Sequence, residues 1–410
     1  MRDIFDDAFR NDPYPVYAQL RAESPVHRVS GPMGLEVWLV TRYDDVRAAL
    51  SEPRLSKDPR NAPPWMRDLG LVTEDGGRIG QNMLASDPPD HTRLRTLVTK
   101  AFTRGRIDGL RPRIQQIADG LIDAWADEVE VDLIAGLAFP LPITVICELL
   151  GVPAADRYSF RTWTQALTAP PLTPDGLQLL RRARANINEY LIDLIAHRRS
   201  RTEATGGIDD QPDLVSALIS AADEQDRLSE QELLGTLQLL LVAGHETTVN
   251  LIGNGTLALL CHPDQRALLQ AEPELLPGAI EELLRYDGPV ERATPRFAIE
   301  DITLAGTPIP AGSVVSVALA SANRDNERTP DAHALDITRT DHDNVAFGHG
   351  IHHCLGAQLA KIEAEVAIGT LLRRFPALAL AYSAEDLRWK YGTPADIFRG
   401  LEHLPVRLSS

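Results

Sequence analysis

Cysteine is scarce in this chain: three residues in 410, Cys147, Cys261 and Cys354, far apart. So sparse and odd a set makes no disulfide framework and fits a reducing compartment. Basic residues are in deficit, 41 Lys and Arg against 58 Asp and Glu, a formal charge of −17. That balance argues against general nucleic-acid binding and against anionic membranes. Aromatic residues make up only 5%. No span of about 20 apolar residues exists. The N-terminus, MRDIFDDAFRNDPYPVYAQL, is charged within three residues and has no apolar core of signal-peptide type. The expectation is a soluble, cytoplasmic protein with no membrane contact and no nucleic-acid partner.

What is present is an ordinary globular mix, 44% hydrophobic and 24% charged, enough for a sizeable core. Length alone allows two or three domains at roughly 150 residues each. No repeat and no low-complexity linker divides the chain, so the reading is one mainly α domain, 1–410. Residues 14–24 and 42–52 have helical period, and 36–41 (EVWLVT) is strand-like. Residues 53–86 are rich in Pro, Gly and Asp and read as a long loop. Helices dominate from Pro88 to about Arg285, with breakers at 170–176 and 203–213. After Pro289 the patterning turns to β: 302–312 and 313–321 read as small strands and turns. Helix returns at about 355–375, and the tail 400–410 reads as a last short strand pair.

Residues 230–262 form the longest helical pattern, about 45 Å if continuous. Ser229 and Glu232 make a capping box, and Pro263 stops the helix. It is apolar on most sides, so it is a core helix or a membrane span. Its centre argues against the membrane: His245, Glu246, Thr247 and Thr248 sit there, with Asn250 and Asn254 beyond. A carboxylate buried without a partner is expensive. One reading is a satisfied structural network around Glu246. The other is a bent, hydroxyl-lined groove beside an acid, suited to water and proton delivery. Gly244 would allow close approach there, and the Thr247 hydroxyl would bond the Ala243 carbonyl.

Residues 345–360, VAFGHGIHHCLGAQLA, place Cys354 where a glycine-rich loop enters a helix. Helix N-termini stabilise anions and lower a thiol pKa. Gly348, Gly350 and Gly356 permit tight turns and close approach of flat groups. Cys147 and Cys261 lie in apolar helical contexts and read as core. For Cys354 three readings compete. A buried structural cysteine leaves the three glycines unexplained. A zinc site with His349, His352 and His353 is too crowded for ordinary ligand spacing. A thiolate on haem iron accounts for cysteine, glycines and helix together.

The run F-G-x-G-x-H-x-C-x-G, present as Phe347, Gly348, Gly350, His352, Cys354 and Gly356, resembles the haem-binding loop of the cytochrome P450 family. Ala243 to Thr247 resembles that family's oxygen-activation motif A-G-x-[DE]-T. Glu282 and Arg285 in EELLR resemble its E-x-x-R motif. Motif order and spacing fit, and the resemblance covers essentially the whole chain. Phrases such as DPPDHTRLR, LPITVICELLGVP and LLVAGHETTVNLI bring it nearest to soluble actinobacterial members that tailor macrolides and other polyketides. One departure is His353, where those relatives often carry Phe, which bears on the electronic tuning of the sulfur.

The resemblance implies the cytochrome P450 fold, a single large helical domain with small β-sheets and a buried haem b. It implies Cys354 as the iron ligand and His91, Arg95, Arg296 and His352 as propionate contacts. Thr247 would place a water beside bound O2, and Glu246 would relay protons. Glu282, Arg285 and Arg339 would form an ion network supporting the cysteine loop. The activity implied is insertion of one oxygen atom from O2. Electrons would come from NAD(P)H through a ferredoxin reductase and a ferredoxin, since no flavin or iron–sulfur segment is present. Residues 91–113 carry Arg93, Arg95, Lys100, Arg104, Arg106, Arg111 and Arg113 against Asp108, a docking patch or merely a solvated face.

By resemblance the substrate pocket is lined by the 53–86 loop, the 167–176 breaker, Val242, Ala243, Val290, Ala293, Thr294, Ile397 and Phe398. Mostly apolar walls of modest size leave room for a bulky aliphatic substrate such as a macrolide, other polyketide, terpenoid or steroid-like molecule. Glu74, Asp75 and Glu291 either grip a cationic sugar or amine or are simply solvated. The alternative to an enzyme is a non-catalytic haem protein that binds a ligand or senses gas. A sensor has no need of the Glu246–Thr247 pair.

Overall fold

The computed structural model describes residues 5–30, 36–68, 72, 80–168, 174–201, 211, 213–223, 228–390 and 397–408. Helices dominate them, with three small sheets. They fall into two compact units: Met1–Leu55, Leu110–Pro142 and Thr247–Ser410 in one, Ser56–Gly109 and Ile143–Glu246 in the other.

The first unit is organised by a sheet in the order Val26–Ser30, Glu36–Val40, Val314–Val317, Arg296–Ala298, Leu55–Ser56. VHRVS and EVWLV pair antiparallel, Val26 opposite Val40. Glu36–Val40 then runs parallel to Val314–Val317, whose four residues are all buried. A strand covered on both faces needs such an unbroken apolar stretch. Val26, Val40, Val46, Leu50, Ile302, Ile309 and Val315 form one core cluster there. The hairpin Ile302–Leu304 to Thr307–Ile309 turns at Ala305 and Gly306, with φ of 47° and 78°. Positive φ at both turn residues matches the twist of a tight hairpin.

Two expectations in this unit need correction. The stretch 313–321 is strand only to Val317; Leu319–Asn323 is helix. The tail is not a strand pair. Pro405–Arg407 is one strand, paired with Glu130–Asp132 and Ala379–Leu380. A local reading looks for the partner next door, and here both partners come from distant sequence.

The second unit contains the helices Asp90–Ala101, Arg157–Thr168, Pro174–Arg201, Leu214–Asp223 and Glu230–Ala243. Phe160 and Tyr190 meet edge to face at 4.8 Å between ring centres. Gly235 lets the chain at Gln81 lie directly on its helix, since a Cβ would sit 2.0 Å from the Gln81 carbonyl oxygen. The 53–86 loop is not wholly irregular: it holds the short helical turns Pro59–Asn61, Pro64–Asp68 and Met83–Ala85. Residues 69–71 and 73–79 of it, and most of both breakers, lie outside the described residues.

The expected continuous helix 230–262 is broken. Glu230–Ala243 starts with the capping box of Ser229 and Glu232 in place. The chain then turns at Gly244 and His245, and helix resumes as Glu246–Cys261. The Gly244 N–H still reaches the Leu240 carbonyl at 3.0 Å. A Cβ on Gly244 would lie 2.7 Å from that same carbonyl oxygen. Glycine is the cheapest ordinary residue at which to abandon helical backbone, and the break falls at the polar island. Among the described residues no helix is long and apolar enough to cross a membrane.

Candidate functional site

The cysteine loop is held by its backbone. The Cys354 N–H donates to the Phe347 carbonyl at 2.9 Å, closing the loop on itself. Gly348 and Gly350 have φ of +73° and +74°, where a side chain would be strained. Gly350 also lies against the helix Tyr43–Ser51, its missing Cβ 3.2 Å from Ser51 Oγ and 3.3 Å from the Leu50 carbonyl oxygen. Gly356 has ordinary backbone and only a distant contact, so neither strain nor crowding demands glycine there. The helix Ala357–Arg374 begins three residues after Cys354, close enough for its N-terminal dipole to favour a thiolate. Cys354 is exposed. Cys147 is buried as expected, its thiol pushed up to about 12 by desolvation. Cys261 is exposed, which corrects its reading as core.

Behind the loop lies a buried ion network. Arg285 donates from Nε and Nη2 to both oxygens of Glu282, at 2.6 and 2.7 Å. Its other donors reach the carbonyls of Asn323, Ala332 and Ala334. Glu282 Oε1 also accepts from Arg339 Nε at 3.2 Å and from the Asp336 N–H at 2.9 Å. The link to the cysteine loop runs through a residue the sequence did not single out. Asn323, whose backbone carbonyl accepts a hydrogen bond from Arg285 Nη1, accepts the Val345 N–H on its side-chain oxygen at 2.8 Å. Val345 opens the loop that ends at Cys354.

On the broken helix, Glu246 and His245 are buried and Thr247 is half-buried. Ala243 is exposed although Leu239 to Val242 are buried, so an open face exists at that point. Val242 is buried. The structure adds Glu363, on the helix Ala357–Arg374 and only 1% exposed. Neither carboxyl oxygen has a well-formed hydrogen bond. Burial pushes its pKa well above the carboxylate range, and the hydroxyl of Thr248 opposes this only in part. With Lys361 and Glu365 two residues to either side, nothing in the sequence set Glu363 apart.

Arg296 opens the strand Arg296–Ala298, opposite Val315, and is 5% exposed. Its Nη1 reaches the Leu55 carbonyl only at 3.4 Å. His352 ends the turn Gly350–His352 and is half-buried. In the second unit His91 and Arg95 share one face of Asp90–Ala101, His91 buried and Arg95 half-buried. Within the first unit, Cys354 on its glycine loop, the buried Arg296 and the half-buried His352 are the sulfur and cationic donors an iron porphyrin with two carboxylates requires. These residues fit a haem.

Val290, Ala293, Thr294, Ile397 and Phe398 are all half-exposed. Val290 bridges to Phe398, and the Glu291 N–H donates to the Ile397 carbonyl at 2.8 Å. The structure thus brings the two lining segments side by side. Glu291 is no exposed loop carboxylate. It is 9% exposed, accepts the Tyr17 hydroxyl at 2.8 Å, and has Arg292 Nε at 3.2 Å. Glu74 and Asp75 lie outside the described residues. The positive count over 91–113 is partly cancelled by carboxylates from elsewhere, since Arg93 pairs with Glu232 and Arg111 with Glu365, while Arg104 lies against Asp108 of the same stretch.

Comparison with known proteins agrees with this geometry. The family model described as Cytochrome P450 matches residues 10–380. The chain is 52% identical over 402 residues to the cytochrome P450 monooxygenase PikC of Streptomyces venezuelae, covering 97% of this chain and 92% of that one. It is 48% identical over 407 residues to the vitamin D(3) 25-hydroxylase of Pseudonocardia autotrophica, covering 99% and 96%. The tirandamycin C-bound P450 monooxygenase TamI superposes over 100% of both chains, with a TM-score of 0.89 and 47% identity. The fold is therefore the cytochrome P450 fold, and this chain belongs to the cytochrome P450 family as one of its monooxygenases.

Proposed function

We propose that this single haem domain inserts one oxygen atom from O2, by hydroxylation or epoxidation, into a bulky and mostly apolar secondary metabolite. Cys354 would ligate the iron of haem b. His91, Arg95, Arg296 and His352 would neutralise the propionates. When bound, a thiolate-ligated haem supplies the electron push that favours O–O cleavage. The chain's own part is to hold that sulfur rigidly, to orient substrate and to deliver protons. Glu246, buried beside the break at Gly244 and His245, would pass protons inward, and Thr247 would hold the water that receives them. The observation that carries the reading is the Cys354 loop itself, with two glycines at positive φ and a helix start just after the cysteine.

The substrate class rests on the walls and the relatives. Val290, Ala293, Ile397 and Phe398 are apolar, Thr294 adds one hydroxyl, and Val242 and Ala243 are small. Two named relatives act on or bind large molecules, vitamin D(3) and tirandamycin C. A macrolide or other polyketide, or a terpenoid or steroid-like molecule, fits such a site, as part of antibiotic biosynthesis in the cytoplasm. A panel of macrolides and steroids screened for substrate-induced spin shifts, with products identified by mass, tests this. Turnover confined to small polar compounds would contradict it.

Electrons would arrive from NAD(P)H through a ferredoxin reductase and a ferredoxin. The exposed cations Lys100, Arg104 and Arg113 support an acidic partner, although Asp108 offsets Arg104. Reduction by ferredoxin should slow as ionic strength rises past about 0.1 M, where screening reaches contact range. Salt-independent reduction would remove the electrostatic part of the proposal.

A further inference from the structure

The helix Tyr14–Glu23 carries none of the motifs above, yet one of its side chains reaches a substrate-lining segment directly and two others hold residues beside it. Tyr17 is fully buried, and its hydroxyl donates to Glu291, between Val290 and Ala293. The Glu291 backbone in turn ties Ile397 through its N–H and Ala320 through its carbonyl, which accepts at 3.0 Å. Arg21 Nη1 donates to both the carbonyl and the hydroxyl of neighbouring Ser321, each at 2.9 Å. One turn earlier, the Tyr14 hydroxyl donates to Asp287 Oδ1 at 2.5 Å. Arg399 Nε donates to that same oxygen at 2.7 Å. The Arg399 N–H donates to the Pro289 carbonyl at 2.9 Å. Asp287 precedes Val290 by three residues, and Arg399 follows Phe398 directly.

Residues 14 and 17 share one helix face. That face therefore holds Glu291 inside the 290–294 segment, Asp287 just before it and, through Asp287, Arg399 just after Phe398. The hydroxyls are dependable donors: burial drives the pKa of both tyrosines up, so they stay protonated at all ordinary pH. Each lost hydroxyl would leave a buried carboxylate with one donor fewer, which is costly enough to move the chain that carries it.

We propose that Tyr14 and Tyr17 are positioning residues that set the spacing of the two substrate-lining segments, 290–294 and 397–398, from behind the pocket wall. The inference rests on those segments being the wall.

The test uses the haem-loaded enzyme and two iron-binding probes, imidazole and 4-phenylimidazole. The small probe senses iron alone; the bulky one also senses the wall. Tyr17→Phe keeps the ring and removes the hydroxyl. It should weaken 4-phenylimidazole about fivefold, a modest share of a charge-assisted hydrogen bond, and leave imidazole within about twofold. Tyr14→Phe should act in the same direction, and it carries the test should Tyr17→Phe fold poorly. Val290→Trp places bulk on the wall directly and should weaken only the bulky probe. If Val290→Trp discriminates while both tyrosine variants match wild type, the positioning role is overturned and the wall stands. If Val290→Trp affects neither probe, the wall assignment falls. Equal loss of both probes in the tyrosine variants would mean general damage and would also overturn the proposal.

Discussion

Two buried polar regions of the first unit face opposite ways in their hydrogen bonding. Around Glu282 everything is satisfied. Arg285 uses all five of its donors, and Glu282 accepts from Arg285, Arg339 and Asp336. Around the start of Glu246–Cys261 the pattern inverts. Glu363 has no well-formed hydrogen bond, and Asn250 has none on either atom of its amide. Burial is the same, 2% for Glu282 and 1% for Glu363 and Asn250. A saturated network fixes one geometry, whereas open polar groups in a dry interior cost energy unless something else meets them. The first region is built to be rigid behind the cysteine loop. The second leaves polar atoms without a well-formed hydrogen bond, as the proposed delivery of water and protons would require.

Breaking the saturated side should do most harm. Arg285→Ala removes two of the four donors on the Glu282 carboxylate and leaves three carbonyls without their Arg285 donor, at a cost of about 3–5 kcal/mol for a broken buried pair. We expect little folded, haem-loaded protein, read as the yield of the reduced carbon monoxide spectrum; normal yield would deny this network its supporting role. Asn323→Ala cuts only the strut to Val345, so a smaller loss of thermal stability is expected, with a broadened thiolate spectrum. Thr247→Ala acts on the open side and should leave folding alone. Haem and substrate binding persist, but hydrogen peroxide replaces product as the fate of most electrons. Unchanged coupling would remove Thr247 from proton delivery.

Glu363→Gln sharpens the contrast with the smallest effect. The folded-state pKa of Glu363 is raised above its unfolded value of 4.5. The folded protein therefore keeps a proton that the unfolded chain loses as pH rises past 4.5. Stability falls as pH rises through that window until the folded-state pKa is reached. Glutamine carries no such dependence. Relative to wild type, the variant should gain melting temperature between pH 5 and pH 7; parallel melting curves would show that Glu363 is charged in the fold.

The sequence made the chemistry legible where it is local. Cys354 with its glycines, Glu282 with Arg285 and the capping box at Ser229 each lie within a few residues; the structure forms the ion pair and the capping box, and puts Gly348 and Gly350 at positive φ. The break at Gly244 was half legible: glycine and the polar island were visible, but a continuous helix was the simpler pattern. Long-range pairing was not legible. Glu291 read as a loop carboxylate because nothing near it in sequence announces Tyr17, 274 residues away. Arg93 and Arg111 read as open charge because Glu232 and Glu365 come from other helices. Asn323 gave no signal, since its value lies in joining the Arg285 donor to the Val345 amide.

The most direct test is the reduced carbon monoxide spectrum of wild type beside Cys354→Ser. Wild type should show the far red-shifted Soret band of thiolate ligation, and the variant should lose that band while keeping its fold by circular dichroism. A histidine-type band in wild type, or an unchanged spectrum in the variant, would contradict the assignment of Cys354 to the iron.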